Sequence, residues 1–342
     1  MPLARKRQIH LDSTPYYHCI ARCVRRAFLC GRDKFSGRSF THRRQWIIDR
    51  TKTLSALFAI DLCAYAIMEN HYHLLIHVDQ NRAKQWDALE IVHRYTQIFR
   101  CPEPVQRWKQ GESLTPVEQK QVLALIEIWR GRLMDISWYM RCLNEYIARK
   151  ANQEDECTGR FWQGRFKSQA LLDARALLAC MLYIDLNPVR AGLANSLSSS
   201  EYTSIRERLQ NQQGNKHKNL AWHQDIPGRR KAKLLPFIGT RAKTNEKTLG
   251  IPYHFKDYLA LAHWTCMAIQ RKQNNMMNVD TPSILLNLNL PAKTWVDQIN
   301  HYGKYFKGVV GALEALKSFS TLVGKRWIHG KRACALLYGA TG

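Results

Sequence analysis

Two histidines are the residues of this sequence best suited to binding a metal ion. His71 and His73 are two apart in a predicted strand, so both imidazoles leave one sheet face while Tyr72 and Leu74 point to the other. Such a pair can hold a divalent ion, but it also occurs as ordinary structural histidines, so a metal site needs a third ligand. Leu75 stands where a histidine-triad hydrolase would have another histidine, and no His-Glu-x-x-His motif is present.

The cysteines do not predict a metal site or a redox motif. The chain has 10 cysteines and no Cys-x-x-Cys pair, which excludes a zinc ribbon and a thioredoxin-like motif. We interpret them as reduced thiols of a cytoplasmic protein. No apolar run approaches the roughly 18–20 residues that span a bilayer, so we expect no membrane partner.

Hydrophobic periodicity divides the chain into strands and helices. Alternating apolar residues predict strands, and apolar residues at helical spacing predict amphipathic helices. The predicted elements are a strand at 15–24, a helix at 41–60, strands at 61–68 and 71–78, helices over 83–150, a short strand ending at 172 and a helix at 174–186. This order fits an α+β, ferredoxin-like fold, with an antiparallel sheet and helices on one face.

The net charge indicates the class of partner. With 52 Lys and Arg against 27 Asp and Glu, the formal charge is +25, and a polyanion offsets such self-repulsion most readily. Nucleic acid is therefore the leading partner, although a merely basic protein or an RNA-binding protein shares this signal. The chain after residue 205 is more basic per residue than the part before it.

Three segments, in this order, closely resemble the REP-associated tyrosine transposases, which are single-tyrosine HUH transposases of insertion sequences. They are Ile67-Met-Glu-Asn-His-Tyr-His-Leu-Leu75, Gly159-Arg-Phe-Trp-Gln-Gly-Arg-Phe-Lys-Ser168 and Tyr183-Ile-Asp-Leu-Asn-Pro-Val-Arg190. The resemblance covers roughly residues 10 to 206. It departs from the family in Glu69-Asn70, where the family usually has Pro-Asn, in an insert near 101–135 and in the long C-terminal extension.

The resemblance implies a DNA endonuclease and strand transferase that works through a 5′-phosphotyrosine. It assigns metal binding to His71 and His73, the nucleophile to Tyr183 and the third metal ligand to Asn187. Tyr183 and Asn187 are i and i+4 on one predicted helix, so both side chains can reach the same site. Two imidazoles with an amide oxygen suit Mg²⁺ or Mn²⁺ as cofactor.

Other residues are candidates for contact with single-stranded or hairpin DNA. Cations and an aromatic ring interleave in the second segment, a cation follows the predicted helix, and a basic cluster lies further along the chain. These candidates are Trp162, Arg165, Lys167, Arg190, Arg229, Arg230, Lys231 and Lys233. A core position is the competing interpretation for Trp162, and a solvated surface is the competing one for the cations.

We predict three regions. Residues 1–205 form an HUH transposase-like catalytic domain with a helical insert near 101–135, 206–245 form a basic linker, and 246–342 form a helical accessory domain that binds nucleic acid. Because related enzymes work as dimers, the resemblance also allows a homodimer. It implies a bacterial protein associated with the nucleoid when bound to DNA. A DNA-binding protein that has lost catalysis stays open as the alternative.

Overall fold

The structure, a computed structural model, combines one five-stranded sheet with helices on both of its faces. It describes residues 8–24, 29–32, 37–212, 232–239, 249–270, 281–325 and 327–338. The strands are β1 (Tyr16–Arg22), β2 (Ile60–Ile67), β3 (His71–Val78), β4 (Lys167–Leu171) and β5 (Val309–Val310).

The helices of the first part of the chain are α1 (Arg43–Leu57), α2 (Gln80–Gln85), α3 (Ala88–Thr96), α4 (Glu103–Lys109), α5 (Pro116–Leu133), α6 (Ile136–Glu154), α7 (Ala174–Asp185), α8 (Asn187–Arg190) and α9 (Ser204–Gln212). Those that follow are α10 (Phe255–Gln270), α11 (Ser283–Asn287), α12 (Ala292–Asn300), α13 (Tyr302–Tyr305), α14 (Leu313–Leu322) and α15 (Lys331–Leu337). The fold class is therefore α+β, and the predicted insert near 101–135 contains α4 and α5.

The sheet has the strand order β2-β3-β1-β4-β5. Strands β2, β3, β1 and β4 pair antiparallel with one another in this order, and β5 pairs parallel with β4. The predicted hairpin is confirmed, because β2 and β3 pair across Glu69-Asn70. In this register Ile20 of β1 pairs with His73 on one side and with Lys167 on the other.

Paired residues on neighbouring strands point to the same side of a sheet, so the register defines two faces. The histidine face carries His18, Ile20, His71 and His73. The opposite face carries Tyr72, whose hydroxyl donates to Asn144 of α6 at 2.6 Å.

The two faces are covered by different helices. Helices α1 and α6 pack together against the face of Tyr72. Helix α7 lies against the histidine face, where the ring of Tyr183 contacts that of His73. The sheet thus carries helices on both faces, which corrects the expectation of helices on one face only. The physical reason is that α7, unlike α1 and α6, follows β4 and crosses back over the uncovered side.

Carboxylates fix both ends of α7. At its start, Asp173 accepts hydrogen bonds from the backbone N–H of Ala176 and of Ala312, each at 2.9 Å. At its end, Asp185 is fully buried and accepts from the hydroxyls of Ser204 and Tyr258. The helix that carries Tyr183 is therefore tied to α9, α10 and the segment after β5.

The C-terminal part of the chain joins the sheet directly. The N–H of Leu172 donates to the carbonyl of Val310, and that of Ala170 donates to the carbonyl of Gly308, both at 2.9 Å. Residues around β5 are thus continuous with the predicted catalytic domain. The predicted boundaries at 205 and 245 stay predictions, and most of the basic linker lies outside the described residues.

Two findings concern the cysteines and the search for membrane-spanning helices. None of the 10 cysteines, all of which lie in the described ranges, forms a disulfide. Across the ranges that the structure describes, no helix combines the length and the apolar character needed to traverse a bilayer.

We expect Asp185→Ala to lower the free energy of unfolding by about 3 kcal/mol, because it leaves several buried donors without their acceptor. Urea titration followed by circular dichroism measures the change. Glu127→Ala is the control, since Glu127 is an exposed partner of Arg130 and its loss costs about 0.5 kcal/mol or less. Equal effects of the two substitutions would contradict a structural role for Asp185.

Candidate functional site

The two histidines predicted to bind metal are held uncharged. Burial lowers the pKa of His71 to about 4, and the nearby cation of Arg22 adds to this effect. His73 is only 2% exposed, and burial together with the neighbouring His18 and His71 lowers its pKa well below the ordinary value. Both rings therefore keep a lone pair at neutral pH, which ligation of a metal requires.

The Nδ1 atom of each ring already has a partner. Nδ1 of His71 lies 2.6 Å from Oδ1 of Asn70, and Nδ1 of His73 lies 2.9 Å from Nε2 of His18. The ring centroids of His71 and His73 are 4.9 Å apart. With Nδ1 occupied, Nε2 is the nitrogen of each ring that can bind an ion, as expected when a second group orients a ligating histidine.

Tyr183 and Asn187 lie against the same histidine face. Nδ2 of Asn187 is 3.1 Å from Nε2 of His73. The ring of Tyr183 meets that of His73 edge to face, with centroids 5.5 Å apart. The structure therefore brings together the four residues that the sequence singled out, two from β3, one from α7 and one from the start of α8.

Three neighbouring residues define the surroundings of the Tyr183 phenol. The guanidinium carbon of Arg190 lies 4.5 Å from the centroid of the Tyr183 ring. The ring of Tyr302 stacks on the ring of Tyr183, with centroids 4.6 Å apart and an interplanar angle of 23°. A Cβ atom at Gly303 would lie 3.1 Å from the Tyr183 hydroxyl, so the backbone of α13 approaches the phenol closely. Tyr183 is 8% exposed as a result.

The donor set fits a hard divalent ion that keeps open positions. Within the described part of the chain, no three His, Cys, Asp or Glu side chains cluster as a metal site. The available donors are the Nε2 atoms of His71 and His73 and the amide of Asn187, which would have to present Oδ1 in place of Nδ2. Two nitrogens and one oxygen leave room for phosphate oxygens around Mg²⁺ or Mn²⁺.

The residues predicted to contact DNA differ in their burial. Trp162 belongs to the core, where its Nε1–H donates to the carbonyl of Asn144 at 2.8 Å and its ring packs against Tyr72. Core packing accounts for this tryptophan and replaces base stacking as its role. Arg165 and Lys167 are exposed, and Lys167 shares the histidine face through its pairing with Ile20.

The remaining candidates lie after the predicted catalytic domain. Lys233 is exposed near β2, where the neighbouring Leu235 N–H donates to the carbonyl of Leu62. That position is distant along β2 from Ala66, which pairs with His73. Arg229, Arg230 and Lys231 lie outside the described residues.

Sequence reasoning missed two residues at this site. Arg22 is exposed on the histidine face and pairs with His71. The alternation of β1 was sufficient to find it, because residues 16, 18, 20 and 22 must share one face. Tyr302 lies on a four-residue helix in a region without a recognisable motif, so no local pattern connected it to Tyr183.

Comparison with known proteins gives one structural likeness. No protein-family model matches the chain, and no curated protein matches it. The chain is similar to a solved structure described as a REP-associated tyrosine transposase bound to a REP hairpin, with 12% identity and a TM-score of 0.37. The likeness covers 61% of this chain and 86% of the other.

The buried histidines predict a loss of stability in acid. The pKa of His18 and that of His71 are each lowered to about 4, so between about pH 6.5 and 4 the unfolded chain binds protons that the folded chain excludes. Without metal, the free energy of unfolding should fall across this window by about 1.4 kcal/mol per pH unit for each of the two histidines.

Urea titrations in EDTA at several pH values measure this slope. His71→Gln should reduce the pH slope of the free energy of unfolding by the contribution of one histidine. His93→Gln is the control for the loss of an imidazole as such, because His93 is exposed on α3. An unchanged slope in His71→Gln would contradict an uncharged, buried His71.

Proposed function

We propose that the protein is a metal-dependent single-strand DNA endonuclease and strand transferase of the HUH type, acting on hairpin-bearing DNA. The observation that carries this proposal is the meeting of four side chains on one sheet face. Asn187 lies within hydrogen-bond distance of His73, and Tyr183 packs on the same imidazole. A phenol beside two uncharged imidazoles and an amide is the arrangement that metal-assisted attack by tyrosine needs.

The topology supports the same assignment. Strands β2, β3, β1 and β4 lie in this order, each antiparallel to its neighbour. A helix connects β1 to β2, and helices also connect β3 to β4, which is the split βαβ arrangement of a ferredoxin-like fold. We infer that this sheet is the HUH core, and that β5 and the helices around it are additions to that core.

The chain's own residues supply a nucleophile and a cation beside it. The hydroxyl of Tyr183 is the attacking group. The guanidinium of Arg190 lies over the ring of Tyr183 and places a positive charge next to the phenol. Attack by this oxygen on a DNA phosphorus forms the O–P bond and breaks the P–O3′ bond, and the departing 3′ oxygen takes up a proton. The products are a 5′-phosphotyrosine and a free 3′-hydroxyl, which can reverse the step on another DNA end.

His71, His73 and Asn187 would hold the ion. Mg²⁺ or Mn²⁺ bound there supplies Lewis-acid polarisation of the scissile phosphate. The two histidines contribute by staying neutral, and Asn70 and His18 contribute by fixing the orientation of the rings.

Cations around the histidine face would bind the DNA backbone. Arg22 and Lys167 are exposed on this face, and Arg165 is exposed just before β4. Their positions suit contacts to phosphates of a strand that passes the site, with a total charge of +25 favouring the encounter. The proposed function implies a bacterial cytoplasmic location and association with the nucleoid. A homodimer stays a prediction.

A second candidate is a DNA-binding protein that does not cleave. The observation that favours it is the cover over the nucleophile, since Tyr302 stacks on Tyr183 and leaves it 8% exposed. In such a protein the site would keep its residues, and the phenol would stay out of reach of a phosphodiester.

The tyrosine assignment predicts a covalent protein–DNA adduct. Incubation of the full chain with labelled single-stranded hairpin DNA and Mn²⁺ should give a band that survives a denaturing gel, with the label mapping to the peptide of Tyr183. Tyr183→Phe should abolish the band with little loss of binding, because it removes only the attacking oxygen. Tyr146→Phe is the control, since Tyr146 is a partly exposed tyrosine on α6. Binding without any adduct in the wild-type chain would favour the second candidate.

The metal assignment predicts that adduct formation stops in EDTA and returns with Mg²⁺ or Mn²⁺. His71→Ala should lower the rate at least 100-fold at limiting metal, because one of the ligands is lost. His77→Ala is the matched control, since His77 lies further along β3 and its Nδ1 is 3.2 Å from Oδ2 of Asp61. An equal loss in both variants would contradict the proposed ligand set.

A further inference from the structure

A continuous chain of buried hydrogen bonds runs from the C-terminal part of the protein to the candidate metal ligand. The Tyr302 hydroxyl donates to Oε1 of Gln169 at 3.0 Å, and that oxygen is 3.2 Å from Nδ1 of His18. Nε2 of His18 is 2.9 Å from Nδ1 of His73, and Nε2 of His73 is 3.1 Å from Nδ2 of Asn187. Each of these five side chains is buried.

The direction of this chain is set at Gln169. Its Nε2 donates to the carbonyl of Phe306 at 2.9 Å, which turns Oε1 toward Tyr302 and His18. An amide oxygen only accepts, so Nδ1 of His18 must carry the proton of that ring.

The same rule then determines the tautomer of His73. His18 and His73 are both buried. The hydrogen bonds given above pair them with each other and with the side-chain amides of Gln169 and Asn187, and with no carboxylate. Each ring is therefore neutral and carries one proton. Since Nδ1 of His18 has its proton, Nε2 of His18 accepts, and Nδ1 of His73 must donate. The lone pair of His73 is left on Nε2, facing Asn187.

We infer that Gln169 is a positioning residue of the site, which fixes through His18 the tautomer of His73 that presents its Nε2 lone pair toward Asn187 and Tyr183. The inference rests on the proposed function for its purpose, which is metal binding by His73. It assigns Gln169 and His18 a role outside the ligand set, because both nitrogens of His18 are already engaged in the chain.

The two histidines are oriented in different ways. Nδ1 of His71 has a local partner, Oδ1 of the preceding Asn70. His73 instead depends on groups from β1, β4 and α13, so its tautomer is linked to the segment that contains Tyr302 and Phe306. This difference makes His71 an internal control.

The first test reads the tautomers directly, without metal or DNA. The full chain is labelled with ¹⁵N-histidine, and long-range ¹H–¹⁵N correlations are recorded at pH 7.5 in EDTA. We expect single Nδ1–H tautomers for His18 and His73 in the wild-type protein. An Nε2–H tautomer of His73 would overturn the inference, and this measurement needs no variant to fold.

Variants then separate the role of Gln169 from general packing. Gln169→Leu removes the acceptor, so His73 should lose its single tautomer while His71 keeps its own. Tyr302→Phe removes one donor to Gln169 but leaves the acceptor and the ring in place, so both tautomers should persist. An unchanged His73 tautomer in Gln169→Leu would overturn the inference.

Mn²⁺ binding provides a readout of a different kind. Calorimetry on the metal-free full chain should show affinity reduced about 10-fold or more in Gln169→Leu, as for other partners of ligating histidines, and nearly unchanged affinity in Tyr302→Phe. A changed tautomer with unchanged Mn²⁺ affinity would overturn the positioning role. If the wild-type chain binds no Mn²⁺, the proposed metal centre fails by itself, and the tautomer measurement separately decides the hydrogen-bond chain.

Discussion

The structure around the candidate site depends on the burial of uncharged imidazoles between a sheet and a helix. A buried polar group without a hydrogen-bond partner costs free energy, and a buried charge costs more. His18 and His73 avoid both costs by pairing with each other and with amide groups. This solution requires a cover over the histidine face and fixed amide positions on either side, which α7, β4 and the C-terminal segment provide.

The sequence predicted the part of the site that local spacing controls. The two-residue repeat places His71 and His73 on one face of β3, and the four-residue spacing places Tyr183 near Asn187, although a new short helix begins at Asn187. Hydrophobic alternation also predicted the hairpin of β2 and β3, because one face of each strand must be buried. These features need only a few neighbouring residues and are therefore readable without the fold.

The parts that the sequence did not predict depend on contacts between distant residues. Trp162 has the composition of a base-stacking residue, and only its packing on Tyr72 across the sheet shows that it belongs to the core. Strand β5 has two residues, too few for a periodic pattern, and its parallel pairing with β4 comes from a connection of more than a hundred residues. Charge suggested an accessory module after residue 245, whereas Tyr302 reaches the site itself.

Residues 300–306 cover the Tyr183 phenol, and they also hold the end of the hydrogen-bond chain that runs through His18 and His73. Tyr302 stacks on Tyr183, the carbonyl of Asn300 accepts from Arg190, and the carbonyl of Phe306 holds Gln169. Under the proposed function, a phosphodiester can reach the Tyr183 oxygen only if this cover is displaced, because an 8% exposed ring leaves little room for a DNA strand. Displacement of the segment would also free Arg190 and release Gln169. Access to the proposed nucleophile and the orientation of the proposed ligand His73 therefore depend on the same segment.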